Sequence, residues 1–315
     1  MHKKTVFIVG AFFDGRPGHE KQTSGILEEL KKKRAIKIVS TTVQKGNVFQ
    51  QSISWIKHFS SIKSKKKTSL AECNLFIGTG THTHLPMLSQ KKHFNIPVVT
   101  CMTPATIIQD KFDLIFAPQH DNIGNQKNVF RTIGPPNLNH VKGEHLSHRT
   151  LVLIGGVDPQ SHHWVNEEII TSVKRLICHE NGQEIIISSS PRTPKETVES
   201  LSLIADEYQN ATFYDYRDTP SGWVEKEYSL CQQVWVTGDS ISMVYEALSS
   251  GCKVGIIPVR WRRKHSKFIT SEKYLYENEM VINLDAYLAH EKNWKNKPAL
   301  NEAGRCAEEI INRFL

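Results

Sequence analysis

The sequence predicts an α/β protein built from two doubly wound, Rossmann-like domains facing a central cleft. Three observations carry this. Two successive series of short apolar runs alternate with longer amphipathic segments. The runs are apolar on both faces, as strands buried in a parallel sheet are. Between the series lies GPPNLNHVKGEHLSHR (134–149), whose Pro, Gly, Asn and His content reads as a linker. The 315 residues exceed what one core serves comfortably and suit two domains of about 150 residues.

The elements follow in order. KTVFIVG (4–10) reads as the first strand, with a helix over 19–33 and a second strand at AIKIVSTT (35–42). CNLFIGT (73–79), IPVVTCM (96–102), FDLIFAP (112–118) and NVFRTIG (128–134) complete the first series. The second comprises TLVLIGG (150–156), EIIISSS (184–190), ATFYDY (211–216), QVWVTGD (233–239) and KVGIIPV (253–259). PKETVESLSLIADEY (194–208) is one of its helices, and NEAGRCAEEIINRFL (301–315) closes the chain as another. The expected domains are 1–143 on the acceptor side and 144–300 for the donor, with the 301–315 helix packing back on the first domain. The basic start and short apolar run at the N-terminus do not make a signal peptide. That run ends in Asp14-Gly15-Arg16-Pro17-Gly18 without a small-x-small cleavage site.

Apolar content of 39% and charged content of 23% are those of an ordinary soluble globular chain. No apolar run approaches the roughly 20 residues that span a bilayer. Six cysteines (73, 101, 178, 231, 252, 306) form no CxxC pair, which reads as free core thiols in a reducing, cytoplasmic setting. Charge is uneven. Residues 1–145 carry 21 basic against 9 acidic side chains and the rest 19 against 23, so +12 and −4. The basic half calls for an anionic partner: an acidic glycolipid, an anionic membrane face or nucleic acid. Nucleic acid is disfavoured, because the basic residues lack interleaved aromatics for stacking.

In doubly wound sheets the ligand sits at the carboxyl ends of the strands, so the chemistry is expected in the strand-end loops. In GDSIS, Asp239 or Ser240 caps a helix whose first amides, with Ser240 and Ser242, can bind phosphate. Glu246, less than two turns on, can accept from vicinal hydroxyls such as those of a ribose. A plain capped helix with a solvated Glu explains the same spacing. GGVDPQSHH ends a strand in Gly155-Gly156, where backbone can approach a ligand closely. SSSPRTP offers Ser190, Thr193 and the fork of Arg192, a natural match for a diphosphate. In DGRPGHEKQ, His19 is placed to remove a proton from an acceptor hydroxyl, with Asp14 and Glu20 next in line as base. Arg16, Gly18, Lys21 and Gln22 form the acceptor side there. The pairs His82/His84 and His162/His163 lack a third ligand at metal spacing, so no metal is expected. There is neither a GxGxxG nor a GxxxxGK[ST] loop.

Two further stretches bear on partners. SISWIKHFSSIKSKKK (52–67) sets Ile53, Ile56, Phe59 and Ile62 at helical spacing before a lysine run. It is either a monotopic membrane contact or a core-facing helix. RWRRKHSK (260–267) is basic and either meets phosphates or is solvated.

The stretch VTGDSISMVYEALSSGCKVGIIP resembles the donor motif of the GT-B glycosyltransferase that completes lipid II, with Ser240, Glu246, Gly251 and Pro258 at matching spacing. More broadly, DGRPGHEKQ, FDLIFAPQHD, VLIGG, SSSPRTP, VTGDSISMVYEALSSG and Lys267-Phe268, in this order, resemble the blocks of the mitochondrial-fission ELM family. Its bacterial members are classed as glycosyltransferases, some of lipopolysaccharide outer-core type. Where the family carries two arginines, this chain has Pro191 and Arg192, and Gly238 replaces its usual Ala. The resemblance implies a GT-B fold and a nucleotide-diphosphate sugar as donor substrate, with no cofactor or metal. The acceptor would be an acidic, lipopolysaccharide-core-like glycolipid. The protein would work in the cytoplasm, peripheral on the anionic inner membrane. Two alternatives stand beside it: a non-catalytic membrane adaptor, and a sugar-nucleotide epimerase drawing on Asp121, Asp218 or Glu20.

Overall fold

The computed structural model describes residues 6–43, 69–138, 145–262, 267–290, 294 and 297–315. The chain divides into two compact units, residues 1–138 with 301–315, and residues 139–300.

In the first unit, strands β1 (Phe7–Phe13), β2 (Ile36–Thr42), β3 (Leu75–Thr79), β4 (Val98–Cys101), β5 (Leu114–Pro118) and β6 (Val129–Thr132) pair in the order β2-β1-β3-β4-β5-β6. Every pairing is parallel. Period two sorts the side chains into two cores. Leu75 and Ile77 of β3 and Leu114 and Phe116 of β5 face one, while Phe76 and Ile115 face the other. Helix α1 (Pro17–Lys33) starts on a proline, whose missing N–H costs nothing in a first turn, and ends on Lys31, Lys32 and Lys33, which suit the dipole. It buries Thr23, Ile26, Leu27 and Leu30 along one face. Helix α2 (Thr81–Phe94) follows β3. The C-terminal helix (Glu302–Phe314) completes the α1-side core with Cys306, Ala307 and Ile310.

In the second unit, β7 (Leu146–Leu153), β9 (Glu184–Ser188), β10 (Ala211–Tyr214), β11 (Cys231–Thr237), β12 (Lys253–Ile257) and β14 (Val281–Asn283) pair in the order β10-β9-β7-β11-β12-β14, again all parallel. The helices are α3 (Asn166–His179), α4 (Lys195–Glu207), α5 (Trp223–Leu230), α6 (Ile241–Ser249), α7 (Lys267–Glu277) and α8 (Leu284–Leu288). Counted within the unit, the strand order is 3-2-1-4-5-6, the doubly wound arrangement of dinucleotide-binding folds. Val152, Ile154, Ile185, Ile187 and Trp235 build its core with α3 and α4. Gly255 is obligatory, since a Cβ there would lie 2.3 Å from the Trp235 ring. A two-stranded antiparallel ribbon, β8 (His162–His163) with β13 (Arg260–Trp261), stands apart from the sheet.

The α/β, GT-B-type fold class of two doubly wound Rossmann-like units is thus the one found. Local corrections concern boundaries. The linker read over 134–149 includes strand: β7 begins at Leu146, where Leu146 pairs with Cys231 before a register shift. Residues 139–144 and the amphipathic 52–67 stretch lie outside the described residues. The three-residue β14 was not foreseen, because so short a run has no period to detect. Among the described residues, no helix is long and apolar enough to cross a membrane. Burial pushes the Cys73 thiol up to about 11 and Cys101 to about 12, the behaviour of inert core thiols.

Candidate functional site

In the first unit the strand order reverses between β1 and β3, and a crevice opens at the carboxyl ends of such a strand pair. The loop leaving β1 supplies Asp14 and α1 supplies His19. The Asp14 side chain is fully buried, and its Oδ2 accepts a 2.8 Å hydrogen bond from His19 Nδ1. That bond fixes Nδ1 as the nitrogen facing the carboxylate and turns Nε2 away from it. The other carboxylate oxygen accepts from the Arg16 amide at 3.1 Å. Glu20 turns back onto the Gly15 amide at 3.0 Å, so it shapes the loop rather than lying beside the His19 ring nitrogen that Asp14 holds. From the β3 side, Gly80 has φ 91°, and a Cβ there would lie 2.3 Å from His19 Nδ1. Arg16 donates to His82 Nε2 at 3.2 Å. Arg16 and Gly18 are exposed at the start of α1, with Lys21 and Gln22 partly buried on its next residues.

His84 lies behind this pair. It is buried, bonded to Thr100 Oγ1 at 3.1 Å and packed edge-on against Phe112. Burial, with a contribution from His19, lowers its pKa to about 4. It is therefore a neutral core residue.

In the second unit the order reverses between β7 and β11, and there GGVDPQSHH, SSSPRTP and GDSIS come together. They are knitted mainly to one another. The Gly155 amide donates to Thr237 Oγ1 at 2.8 Å, Gly156 to Asp239 Oδ2 at 3.1 Å and Val157 to the Arg192 carbonyl at 3.0 Å. All three amides of the turn are thus used by the protein. Ser190 Oγ donates to the Gly155 carbonyl at 2.8 Å, and Thr193 Oγ1 lies against the same oxygen. Arg192 Nη2 reaches Asp239 Oδ2 at 2.7 Å and Ser240 Oγ at 2.9 Å, while Nη1 donates to the Gly156 carbonyl at 3.2 Å. The glycines make this possible. A Cβ on Gly156 would lie 1.9 Å from the Arg192 carbonyl oxygen, and one on Gly155 would strike the Asp239 carboxylate.

The sequence-derived donor residues therefore fall into two groups. Gly155, Gly156, Ser190, Arg192, Thr193, Asp239 and Ser240 tie the loops together. Ser240 caps α6 by position, without a side-chain bond to its amides, and only 3% of it is exposed. Ser242 and Glu246 lie four residues apart on one face of α6, the first exposed and the second half-buried. The amides of Ile241 and Ser242 open that helix without a carbonyl one turn behind them. The sequence marks 260–267 as a basic stretch that meets phosphates or is solvated, but carries no sign of the β8–β13 ribbon. The ribbon holds Arg260, Trp261 and Arg262 against the GGVDPQSHH loop: the Arg262 amide donates to the Ser161 carbonyl at 2.9 Å. Residues 263–266 lie outside the described residues. Asp121, a carboxylate candidate of the epimerase alternative, is tied to Thr103 Oγ1 at 2.7 Å.

His162 donates from Nε2 to the Gly156 carbonyl at 3.0 Å and accepts from Ser161 at Nδ1. Among the described residues, no three His, Cys, Asp or Glu side chains are placed to hold a metal ion.

A model of the family described as "mitochondrial fission ELM1" matches residues 17–314. No functionally curated protein matches the sequence. Among solved structures, a candidate UDP-N-acetylglucosamine 2-epimerase from Listeria monocytogenes is similar with a TM-score of 0.60 at 12% identity, over 97% of this chain and 95% of that one. The UDP-GlcNAc 2-epimerase of Neisseria meningitidis bound to UDP-GlcNAc gives 0.54 at 13% identity, over 97% and 99%. The Methanocaldococcus jannaschii enzyme, in complex with UDP-GlcNAc and UDP, gives 0.54 at 12%, also over 97% and 99%. At such identities the likeness is one of fold.

Proposed function

The chain belongs to the mitochondrial fission ELM1 family, and from that premise we propose that it is a glycosyltransferase moving a sugar from a nucleotide-diphosphate donor to an acidic cell-envelope glycolipid. The observation that carries this reading is the Asp14–His19 pair. A buried carboxylate 2.8 Å from Nδ1 fixes the tautomer and orientation of one imidazole, which is what a single general base requires. In this reading His19 Nε2 takes the proton of the acceptor hydroxyl as its oxygen attacks the anomeric carbon. The bond from that carbon to the donor's diphosphate breaks, and the diphosphate leaves with the electron pair. The second unit binds the donor: the Ile241 and Ser242 amides and the Ser242 hydroxyl take phosphate, and Glu246 accepts from the ribose hydroxyls. The amides and helix dipole offset part of the leaving charge without a metal. Support for a nucleotide-sugar ligand comes from the Neisseria and Methanocaldococcus proteins, solved with UDP-GlcNAc. The +12 charge of residues 1–145 favours an acidic acceptor and a position on an anionic membrane surface.

Those same relatives motivate a second reading, epimerisation of the nucleotide-sugar itself. One set of experiments separates the two. Calorimetry against uridine, guanosine, cytidine and adenosine diphosphates and their sugars is expected to find one that binds. His19→Ala should keep that affinity and lose about 10²–10⁴-fold in transfer. An epimerase would instead exchange the sugar C2 proton for deuterium with donor alone in D2O. Binding of no nucleotide species removes both readings. Binding without turnover on any acceptor or in D2O points to a non-catalytic adaptor.

A further inference from the structure

We infer that Arg262, carried on the β8–β13 ribbon, is the cation that pairs with the donor's diphosphate, and that Arg192 is a scaffold residue. This rests on the nucleotide-sugar reading and deepens it. Arg192 is the obvious candidate from sequence, yet its Nη2 is spent on Asp239 and Ser240 and its Nη1 on the Gly156 carbonyl. The Asp239 side chain it pairs with is fully buried, so removing the guanidinium would leave an uncompensated internal charge. The Arg192–Asp239 pair is thus close to neutral as a unit, and a diphosphate beside it still needs a counter-charge. Lys195, close in sequence, lies within 3.3 Å of Glu199.

Arg262 meets the requirement. Its backbone amide is held by the Ser161 carbonyl at 2.9 Å and its Nε by the His162 carbonyl at 3.2 Å. The His162 ring in turn holds the Gly156 carbonyl at 3.0 Å, which puts Arg262 at the rim of the β7 end. The Gly156 amide is itself bonded to Asp239, at the start of the loop that opens α6. Arg262 is exposed, and its two Nη groups have no acceptor among the described residues. The ribbon is rigidly braced. Arg260 forks onto Glu168, Trp261 Nε1 donates to Glu272 at 3.1 Å, and the Trp261 ring stacks on Phe268. A guanidinium fixed through Nε with both Nη groups outward suits two phosphate oxygens.

The test measures the affinity of the full chain for the nucleoside diphosphate that binds best and for its monophosphate. Arg262→Gln should weaken the diphosphate about ten- to a hundredfold, as for a lost charge-assisted bond. The monophosphate should change far less, and the salt dependence should become shallower. Arg262→Lys should recover part of the loss. Arg192→Gln should lower the melting temperature and weaken both nucleotides together. Unchanged diphosphate affinity in Arg262→Gln would overturn the assignment, as would a diphosphate-selective loss confined to Arg192→Gln. If the wild type binds no nucleotide, the underlying reading falls and this assignment falls with it.

Discussion

His19 and His84 show how little a residue type says without its surroundings. Both are histidines near the start of helices that follow adjacent strands. One is held at Nδ1 by a buried carboxylate, and the other is enclosed with Thr100 and Phe112. The consequence for His84 is measurable. Its folded pKa of about 4 lies below the ordinary 6.5. Between those values the unfolded chain binds the proton and the folded one does not, so stability falls as pH falls through that window. The effect is on the order of 3 kcal/mol. Thermal unfolding of wild type and His84→Gln from pH 7 to pH 4 should show a shallower pH slope in the variant, and identical slopes would refute the account. The sequence pointed to both histidines only as parts of motifs. Burial, which separates the partly exposed His19 from the enclosed His84, has no local signal.

At the scale of elements, the three loops of the second unit were legible as strand ends, and their chemistry as hydroxyls, a guanidinium and glycines. What was not legible was the direction in which those groups point. Ser190, Thr193 and Arg192 have the donors a diphosphate needs, but the carbonyls of Ile154, Gly155 and Gly156 need partners too, and they are nearer. Buried backbone acceptors take the two hydroxyls and the guanidinium. The glycine turn bears the strictest constraint. Gly156→Ala would set a Cβ 1.9 Å from a backbone oxygen, which no side-chain rotation relieves. Overpacking of this kind costs about 1–3 kcal/mol. Gly156→Ala is therefore expected to lower the melting temperature and to weaken nucleotide binding by separating GGVDPQSHH from SSSPRTP. A Tm equal to wild type would show that the turn opens freely. The β8–β13 ribbon escaped notice because two-residue strands have no period and pair over nearly 100 positions of sequence.

Across the whole molecule, the C-terminal helix belongs with the first unit although 162 residues of the second unit, 139–300, precede it. Its Cys306, Ala307 and Ile310 fill the core beside α1, and Glu302 accepts from the Ile133 amide at 2.9 Å. Removing residues 301–315 should expose that core. Hydrogen exchange in β1, β3 and β4 is expected to rise sharply while β7, β9 and β11 keep their protection. Equal loss in both sheets would contradict the division into two units. By itself the sequence determined the α/β class, the two strand series and the loops at their strand ends, because buried parallel strands and their glycine-rich exits are local patterns of hydropathy and backbone freedom. Only the tertiary structure decided the strand orders, the points where they reverse, and which polar groups face inward. Those follow from pairings between distant segments and from competition among buried donors and acceptors, which no window of sequence contains.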